Sequence, residues 1–353
     1  MKFPLIIVCF MLLCTLDVQA EENYSKGPLY GKNLYVPFLI HYNFTSLPAK
    51  SGEQYNLQSH LSMYYVQDNF FRYLDDEFIE EWTGRSYDTD YVSRDYESFA
   101  AEIGVSYNFL KELQAGIDLR MYSYYGGFLD STIEGFHNLF GFPNGRREFF
   151  LQNQIFVSIP NTNGITLFLD KPVIAFGDID LWGKLTFFET PRLSLAALGA
   201  FKLPTGRLSN LSGSNYPDVA LGLLMDFWAF RRITFYAQAG AVMPFNGKSH
   251  PMFNGLLGME VHPWEILSFL LQMNIRTSPI SDNTIGFTGN NKWGTHYSQY
   301  SMPQANLLAG IVLKHKKFKW QFYFEEDTLT NQGTDITLNV MFSHTLNLKS
   351  NKS

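Results

Sequence analysis

Residues 335–347, DITLNVMFSHTLN, decide the fold because apolar and polar side chains alternate along them. Side chains point alternately to the two faces of a β-strand, so this period of two predicts a strand with one apolar and one polar face. The length suits a tilted β-strand that crosses a bilayer, which takes about 9–11 residues. The apolar face carries Ile336, Leu338, Val340, Phe342 and Leu346, and the polar face carries Asp335, Thr337, Asn339, Ser343 and Asn347.

The same two-faced pattern recurs through most of the chain. It is clear at 57–65, 99–107, 113–121, 178–187, 192–203, 218–227, 232–243, 254–261, 267–276, 304–314 and 318–325, and weaker at 151–157 and 165–169. The stretch 34–43 is a poor strand because Pro37 lacks a backbone donor. The count predicts about fourteen strands, within a range of about 12–16.

The connections between the predicted strands alternate between short and long. Short turns fall at 109–112, 189–192, 229–232, 262–265 and 315–317, and long polar connections at 68–94, 124–148, 204–216, 244–253 and 278–302. Outer-membrane barrels show this alternation, and the chain has no repeat of the kind that a propeller needs. We therefore predict an all-β fold, a single antiparallel transmembrane β-barrel at 55–348, in preference to a soluble sandwich or propeller.

The N-terminus predicts export. Lys2, an apolar run at 3–16 and Ala20 fit a cleaved signal peptide at 1–20, and the run is too short for a membrane-spanning helix. Both cysteines, Cys9 and Cys14, lie in this segment, so the mature chain has no disulfide and no cysteine nucleophile. Residues 21–54 fit no good strand, and one interpretation is that they enter the lumen.

Composition and charge limit the kinds of partner that the protein can bind. The formal net charge is -6 and no basic patch stands out, which argues against a nucleic-acid partner. The chain is rich in aromatic residues and glycine, with 32 Phe, 20 Tyr and 27 Gly. We predict a location in the cell outer membrane, contact with its lipid and lipopolysaccharide, assembly by the barrel assembly machinery, and no cofactor or metal.

The polar faces of the strands predict the lining of the lumen. Both signs of charge occur there, so the side chains either pair with one another and only fill the interior, or line a path for a small solute. The candidate lining residues are Glu102, Asp118, Arg120, Asp180, Lys184, Asp226, Glu260, Arg276, Lys319 and Glu325.

One segment, GGFLDSTIEGFHNLFGFPNGRR at 126–147, breaks the alternation. Its apolar residues follow the spacing of a helix, which we predict at 131–140 inside a loop or cap at 124–148. Ser131 and Glu134 form a capping box at its start, and Gly141 and Pro143 end it. The apolar stripe consists of Leu129, Ile133, Phe136 and Phe140.

Three interpretations apply to Asp130, Glu134 and His137 on a neighbouring face of this helix. They could serve a hydrolase that acts on envelope lipid, but no serine nucleophile motif accompanies them. Glu134 and His137 match half of a di-iron pattern whose other half is missing. We favour a structural role in which they hold the helix against lumen charges, with Arg146 and Arg147 as partners.

The residues of this segment also carry a family resemblance. Gly126 to Asp130, Ile133, Phe136-His137, Phe140-Gly141, Pro143 and Arg146 resemble the signature of a family of predicted Gram-negative outer-membrane barrels of unknown function. The resemblance takes in Asp95 and Glu97 and most of the mature chain, with Phe142 where members commonly have leucine. It implies a barrel and a location, and it supplies neither substrate nor catalytic residues.

These observations predict a passive channel or transporter for a small solute. We expect the 126–147 segment to fold inward and constrict the barrel, since its apolar stripe would otherwise face water. Two alternatives stay open: a barrel enzyme acting on envelope lipid, and a structural barrel that does not conduct.

Overall fold

A computed structural model of the chain describes residues 25–36, 38–72, 92–141, 152–162, 165–279, 303–328, 334 and 336–349. The predicted signal peptide, Arg146 and Arg147 lie outside these residues, as does the side chain of His137. Fourteen strands are present: Asn56–Arg72 (β1), Val92–Asn108 (β2), Leu113–Tyr125 (β3), Phe156–Thr162 (β4), Ile165–Leu169 (β5), Val173–Glu189 (β6), Leu193–Leu203 (β7), Asp218–Phe230 (β8), Ile233–Pro244 (β9), Met252–Val261 (β10), Leu267–Arg276 (β11), Gln304–His315 (β12), Phe318–Asp327 (β13) and Ile336–Asn347 (β14).

Twelve of these strands close into one antiparallel barrel. Each pairs with its neighbour in the chain, except that β3 pairs with β6, and β1 closes the sheet by pairing with both β14 and β2. The closed barrel therefore has twelve strands, at the lower limit of the predicted range of 12–16, and not the predicted central value of fourteen. The two weakest predicted strands correspond to β4 and β5, which pair with each other as a hairpin outside the closed ring. Among the described residues of the barrel, β4 pairs only with Ser93–Asp95 at one end of β2.

The side chains of the barrel are distributed inside out relative to a soluble protein. Apolar residues point outward, with Leu221 68% and Phe176 78% exposed, while Asp180 and Lys202 are fully buried on the inner face. An exposed apolar band around a polar interior is typical of strands that face lipid. Aromatic side chains at the short turns, such as Phe109, Phe230 and Trp264, are also exposed.

The α-helix of the described residues, Asp130–Phe140 (α1), follows β3 in the long connection to β4. It begins one residue before Ser131, so Ser131 lies within its first turn and is not the N-cap as predicted. Ser131, Thr132 and Leu139 are exposed. The side chains of Ile133, Phe136 and Phe140 are outside the described residues, so the inward docking of the stripe stays a prediction.

Among the described residues, no helix has the length and apolar character needed to cross a membrane.

Candidate functional site

Residues 25–36 and 38–49, which we call the luminal segment, lie inside the barrel. Almost all of them are buried, and they contain one short 3-10 turn, Phe38–Ile40, where the sequence predicted a poor strand. The segment runs from the short-turn end of the barrel to the long-loop end and back, since its contacts pass from Glu260 to Arg94 and return to Asp226. It then continues into β1.

The segment is anchored where it begins, at the short-turn end. The backbone N–H of Lys26 donates to both carboxylate oxygens of Glu260, at 3.0 and 3.1 Å. The Lys26 ammonium donates to Ser268 Oγ at 2.8 Å, and the Gly27 N–H donates to the Tyr236 hydroxyl at 3.2 Å. A carboxylate that accepts backbone amides gives charge-assisted hydrogen bonds, which are stronger than neutral ones.

Wall glutamines hold the ascending part of the segment. Gln321 accepts from the Tyr30 N–H at 2.8 Å and donates to the Pro28 carbonyl at 3.0 Å. Gln272 accepts from the Leu29 N–H at 3.1 Å and donates to the Leu29 carbonyl at 3.3 Å. Each glutamine therefore supplies one donor and one acceptor, which is what an unpaired extended backbone requires.

The end of the segment nearest the long loops is partly apolar. Leu34, Val36 and Phe38–Ile40 belong to one buried cluster with Tyr96, Tyr122 and Tyr124 of the wall and Val157 and Leu167 of the β4–β5 hairpin. Arg94 lies in the same region, where its Nε donates to Asp68 at 2.9 Å and its guanidinium lies 4.1 Å from the Tyr35 ring centroid. Among the described residues, apolar packing thus fills part of the lumen at the long-loop end.

Charged groups also surround His41 at the long-loop end. Its Nδ1 lies 3.4 Å from Asp218, and Asp218 accepts the Tyr42 N–H at 2.7 Å. Lys202 lies 3.7 Å from the same carboxylate, and Arg276 donates to the Tyr42 carbonyl at 2.8 Å. Burial lowers the pKa of His41, and the Asp218 carboxylate only partly opposes this effect.

The descending part of the segment is anchored by charged wall residues. Asp226 accepts the N–H groups of Ala49 and Lys50 at 2.9 and 3.0 Å. Lys184 donates to the Pro48 carbonyl at 2.7 Å. Both places where the segment reaches the short-turn end are therefore fixed by carboxylates of the wall.

The structure places the predicted lumen residues on the inner face of the barrel. All ten are buried except Lys319, which is half-buried. Five of them contact the backbone of the luminal segment: Lys184, Asp226, Glu260, Arg276 and Lys319. Arg120 instead pairs with Asp180 at 2.9 Å, and Glu325 accepts a hydrogen bond from Asn306.

The uncharged residues that hold the segment were not among the predicted lumen residues. The residues are Gln238, Gln272 and Gln321, which occupy inward positions of their strands. The alternating pattern predicts these inward positions, but only charged residues were selected from them as candidates. No local signal marks their partners, because the segment lies about 200 or more residues away in sequence.

The predicted cap residues do not come together as one site in the described part of the chain. Asp130 accepts the N–H of Asn153 at 2.7 Å, and Glu134 accepts from Gln152 at 3.1 Å. Arg120, which lies on the preceding strand, pairs with Asp180 instead of with either acid. The start of the cap segment is held by Glu97, whose Oε1 accepts the N–H groups of Phe128 and Leu129 at 3.0 and 2.8 Å.

A cavity of about 50 Å³ lies between the luminal segment and strands β9–β13. A buried water needs about 10–15 Å³ by a comparable measure, so this space is large enough for a few waters. Amides dominate its lining, which includes Asn33, Asn43, Gln238, Asn274, Gln304 and Asn306, together with Arg276 and Glu325.

The fold is similar to that of a solved outer-membrane barrel. The COG4313 outer membrane channel from Pseudomonas putida F1 has a TM-score of 0.51 and 9% identity, and the match covers 84% of this chain and 98% of that one. The NanC porin has a TM-score of 0.42 and 5% identity, covering 82% and 98% of the two chains. The toluene transporter TbuX of Ralstonia pickettii has a TM-score of 0.40 and 10% identity, covering 85% and 91%.

Residues 7–344 match the family described as a protein of unknown function, DUF3187, and the chain belongs to that family. The expectation of an uncharacterised family is confirmed, whereas the signature at 126–146 is not tested by this match. No curated protein matches the chain.

Proposed function

We propose that this protein is an outer-membrane channel for a small polar solute, closed in the described state by the luminal segment. The observation that carries the proposal is how the segment is held. Along most of its path its backbone bonds to polar side chains of the wall, at Glu260, Gln272, Gln321 and Asp226. Water can replace such bonds, so the wall that binds the segment would also be a hydrated path once the segment moves.

The outer surface supports the proposed location. Exposed apolar side chains on the strands would contact lipid, and exposed aromatic residues at the short turns would lie at an interface. Lipopolysaccharide and the barrel assembly machinery are the partners that such a location implies.

The segment at 126–147 is a second element that could control access. Glu97 fixes its start beside the long-loop end, next to the region where the luminal segment is packed. The inward constriction predicted for α1 would add a second barrier above the first. We propose no catalytic role for Asp130 or Glu134, because each carboxylate is engaged with a neighbouring main-chain or amide group.

Conductance in planar bilayers tests the channel proposal. We expect the full-length mature protein to show rare openings, and a variant without residues 26–48 to conduct steadily. The E260Q/D226N variant keeps the whole segment while weakening both of its anchors, and we expect an intermediate open probability. A folded, inserted deletion variant that passes no current would overturn the proposal and favour a structural barrel.

A further inference from the structure

Three wall residues on adjacent strands bring potential metal ligands together on the inner face. His60 of β1 and Asp118 of β3 both lie opposite Gly104 of β2, and Glu102 is two residues before that glycine. A Cβ at residue 104 would lie 2.1 Å from His60 Cε1 and 2.3 Å from Asp118 Oδ1. The absence of a side chain there allows the imidazole and the carboxylate to approach each other.

The distances between these side chains fit a shared ion better than they fit hydrogen bonds. His60 Nε2 lies 3.5 Å from Glu102 Oε1 and 3.8 Å from Asp118 Oδ1, and one ligand atom from each residue lies within 4.8 Å of the others. Hydrogen bonds of this kind are about 2.7–3.2 Å long. Two ligands at about 2.0–2.2 Å from one tetrahedral ion lie roughly 3.3–3.6 Å apart, which matches the 3.5 Å between His60 and Glu102 and is slightly shorter than the 3.8 Å between His60 and Asp118.

A second observation points to a ligand at the same place. Asp118 Oδ1 and His60 Nε2 are buried and make no hydrogen bond, although the side chains are only 1% and 10% exposed. Buried polar atoms in folded proteins nearly always have a partner, and leaving one without a partner is costly. Both atoms face the shared space between the three side chains.

Neighbouring side chains hold both carboxylates in place. Trp182 Nε1 donates to Asp118 Oδ2 at 3.0 Å, which leaves Oδ1 directed to the space shared with His60. The Tyr30 hydroxyl donates at 2.8 Å to Glu102 Oε1, the same oxygen that lies 3.5 Å from His60 Nε2. Outer contacts of this type orient the ligands of metal sites and raise their affinity.

We propose that His60, Glu102 and Asp118 form a binding site for a divalent transition metal ion, with Zn²⁺ as the best match. One imidazole nitrogen with two carboxylate oxygens suits Zn²⁺, whereas Mg²⁺ and Ca²⁺ prefer all-oxygen sites. This site goes beyond the proposed channel function. It would link β1, β2 and β3 directly beside Tyr30 of the luminal segment.

Lys32 is the cation that competes with the metal in this site. Its ammonium lies 3.4 Å from Glu102 Oε2 and also donates to Thr45 Oγ1 at 2.7 Å. The rival explanation is that Lys32 and a protonated His60 neutralise the carboxylates without any metal. The K32M variant distinguishes the two explanations. If the metal site exists, removing the competing ammonium should tighten metal binding. If it does not exist, K32M should bind no metal.

Cobalt binding to untagged, chelator-treated, detergent-folded protein tests the site. We expect one Co²⁺ per chain with the visible spectrum of a nitrogen-containing tetrahedral site, displaced by Zn²⁺. H60N and D118N should lose this spectrum, W182F should weaken binding by roughly 10–100-fold, and K32M should tighten it. The matched control H262N removes another buried lumen histidine and should bind as the unmodified protein does.

Heat-modifiable mobility identifies folded variants. If H60N fails to fold, W182F and K32M still test the site, because neither removes a ligand. Absence of stoichiometric Co²⁺ in the unmodified protein, or equal binding by folded D118N, would overturn the proposal. Binding that W182F and K32M both leave unchanged would overturn it as well.

Discussion

Glu260 accepts the backbone N–H of Lys26 with both carboxylate oxygens, at 3.0 and 3.1 Å. Asp226 holds the other end of the luminal segment, because it accepts the backbone N–H groups of Ala49 and Lys50. Two wall carboxylates on β10 and β8 thus fix the segment where it leaves and rejoins the short-turn end. Asp218 and Arg276 hold Tyr42 at the far end, and glutamines hold the ascending part, so we expect the two carboxylate anchors to limit release of the segment from the short-turn end.

The first prediction concerns these anchors. E260Q/D226N replaces charged acceptors by amides, and hydrogen bonds to charged groups are worth about 1.5–3 kcal/mol each. We expect the open probability in planar bilayers to rise by at least tenfold. E325Q is the control, since Glu325 is a buried lumen carboxylate that bonds to Asn306 of the wall. An equal rise in E325Q would show that lumen charge, not the anchor, controls opening.

The second prediction concerns the space that β8 and β9 leave for Phe44. A Cβ at Gly222 would lie 2.6 Å from Phe44 Cε1, so G222A should displace the ring. Overpacking of this kind costs about 1–3 kcal/mol, and it should raise the open probability and lower the heat-modification temperature. F44L in the G222A background should reverse both effects. G183A is the matched control, because a Cβ at Gly183 meets nothing within 4 Å.

The third prediction concerns the buried pair of Arg94 and Asp68. Removing one partner of a buried ion pair costs about 3–5 kcal/mol because the remaining charge stays buried. R94M should therefore lower the free energy of unfolding in detergent and urea, and R94M/D68N should recover part of the loss. R94M should also loosen Tyr35, which contacts the guanidinium. Equal destabilisation by the single and double variants would contradict the pairing argument.

Much of the barrel could be predicted from the sequence because a period of two is a local property. The strand at 335–347 was predicted from its own residues, and the structure has it at Ile336–Asn347. Strand pairing is not local: the residues of β4 and β5 alternate like the others, yet β4 joins only the end of β2. Alternation therefore predicted the number of strands overall but not the number that close the barrel.

The luminal segment shows why the candidate site was predicted only in part. The wall charges were expected at inward positions, and the structure places them there. Their partners could not be predicted, because residues 25–49 have no regular pattern: their backbone bonds to side chains from many strands. His60, Glu102 and Asp118 lie on three strands, and only the register around Gly104 brings them together.

The fourth prediction is a dependence of opening on pH. Burial lowers the pKa of His41 below its ordinary value of about 6.5, so the docked segment holds His41 neutral while a released segment would titrate normally. The free energy that favours docking of the segment is therefore fully present above about pH 6.5. It decreases as the pH falls from there toward the lowered pKa of the docked His41.

Single-channel recording between about pH 5 and pH 8 measures this effect. The open probability should rise on acidification, and H41Q should reduce the rise. Asp218, Lys202 and Arg276 also face this position, and all three remain in H41Q, so the variant isolates the histidine. An unchanged pH profile in H41Q would assign the titration to another group.

The last prediction tests the segment at 126–147 through Glu97. This carboxylate accepts the N–H groups of Phe128 and Leu129. The preceding residue, Gly127, has a backbone φ of 84°, a conformation that favours glycine. E97Q should weaken this anchor by about 1–2 kcal/mol, a change of roughly tenfold in local opening. Protease cleavage within 126–147 should accelerate by that factor, while the control E134Q should change little, because Glu134 bonds to Gln152 at an exposed position.

Conductance of the same variant separates two roles for this segment. If α1 constricts the lumen, E97Q and a deletion between Gly127 and Gly145 should both raise the open probability. E97Q frees the start of the helix, and the deletion removes the helix. The deletion should keep heat-modifiable mobility, since the described part of α1 contributes no strand to the barrel. Unchanged conductance in the deletion variant, together with a rise in E260Q/D226N, would show that the luminal segment alone closes the lumen.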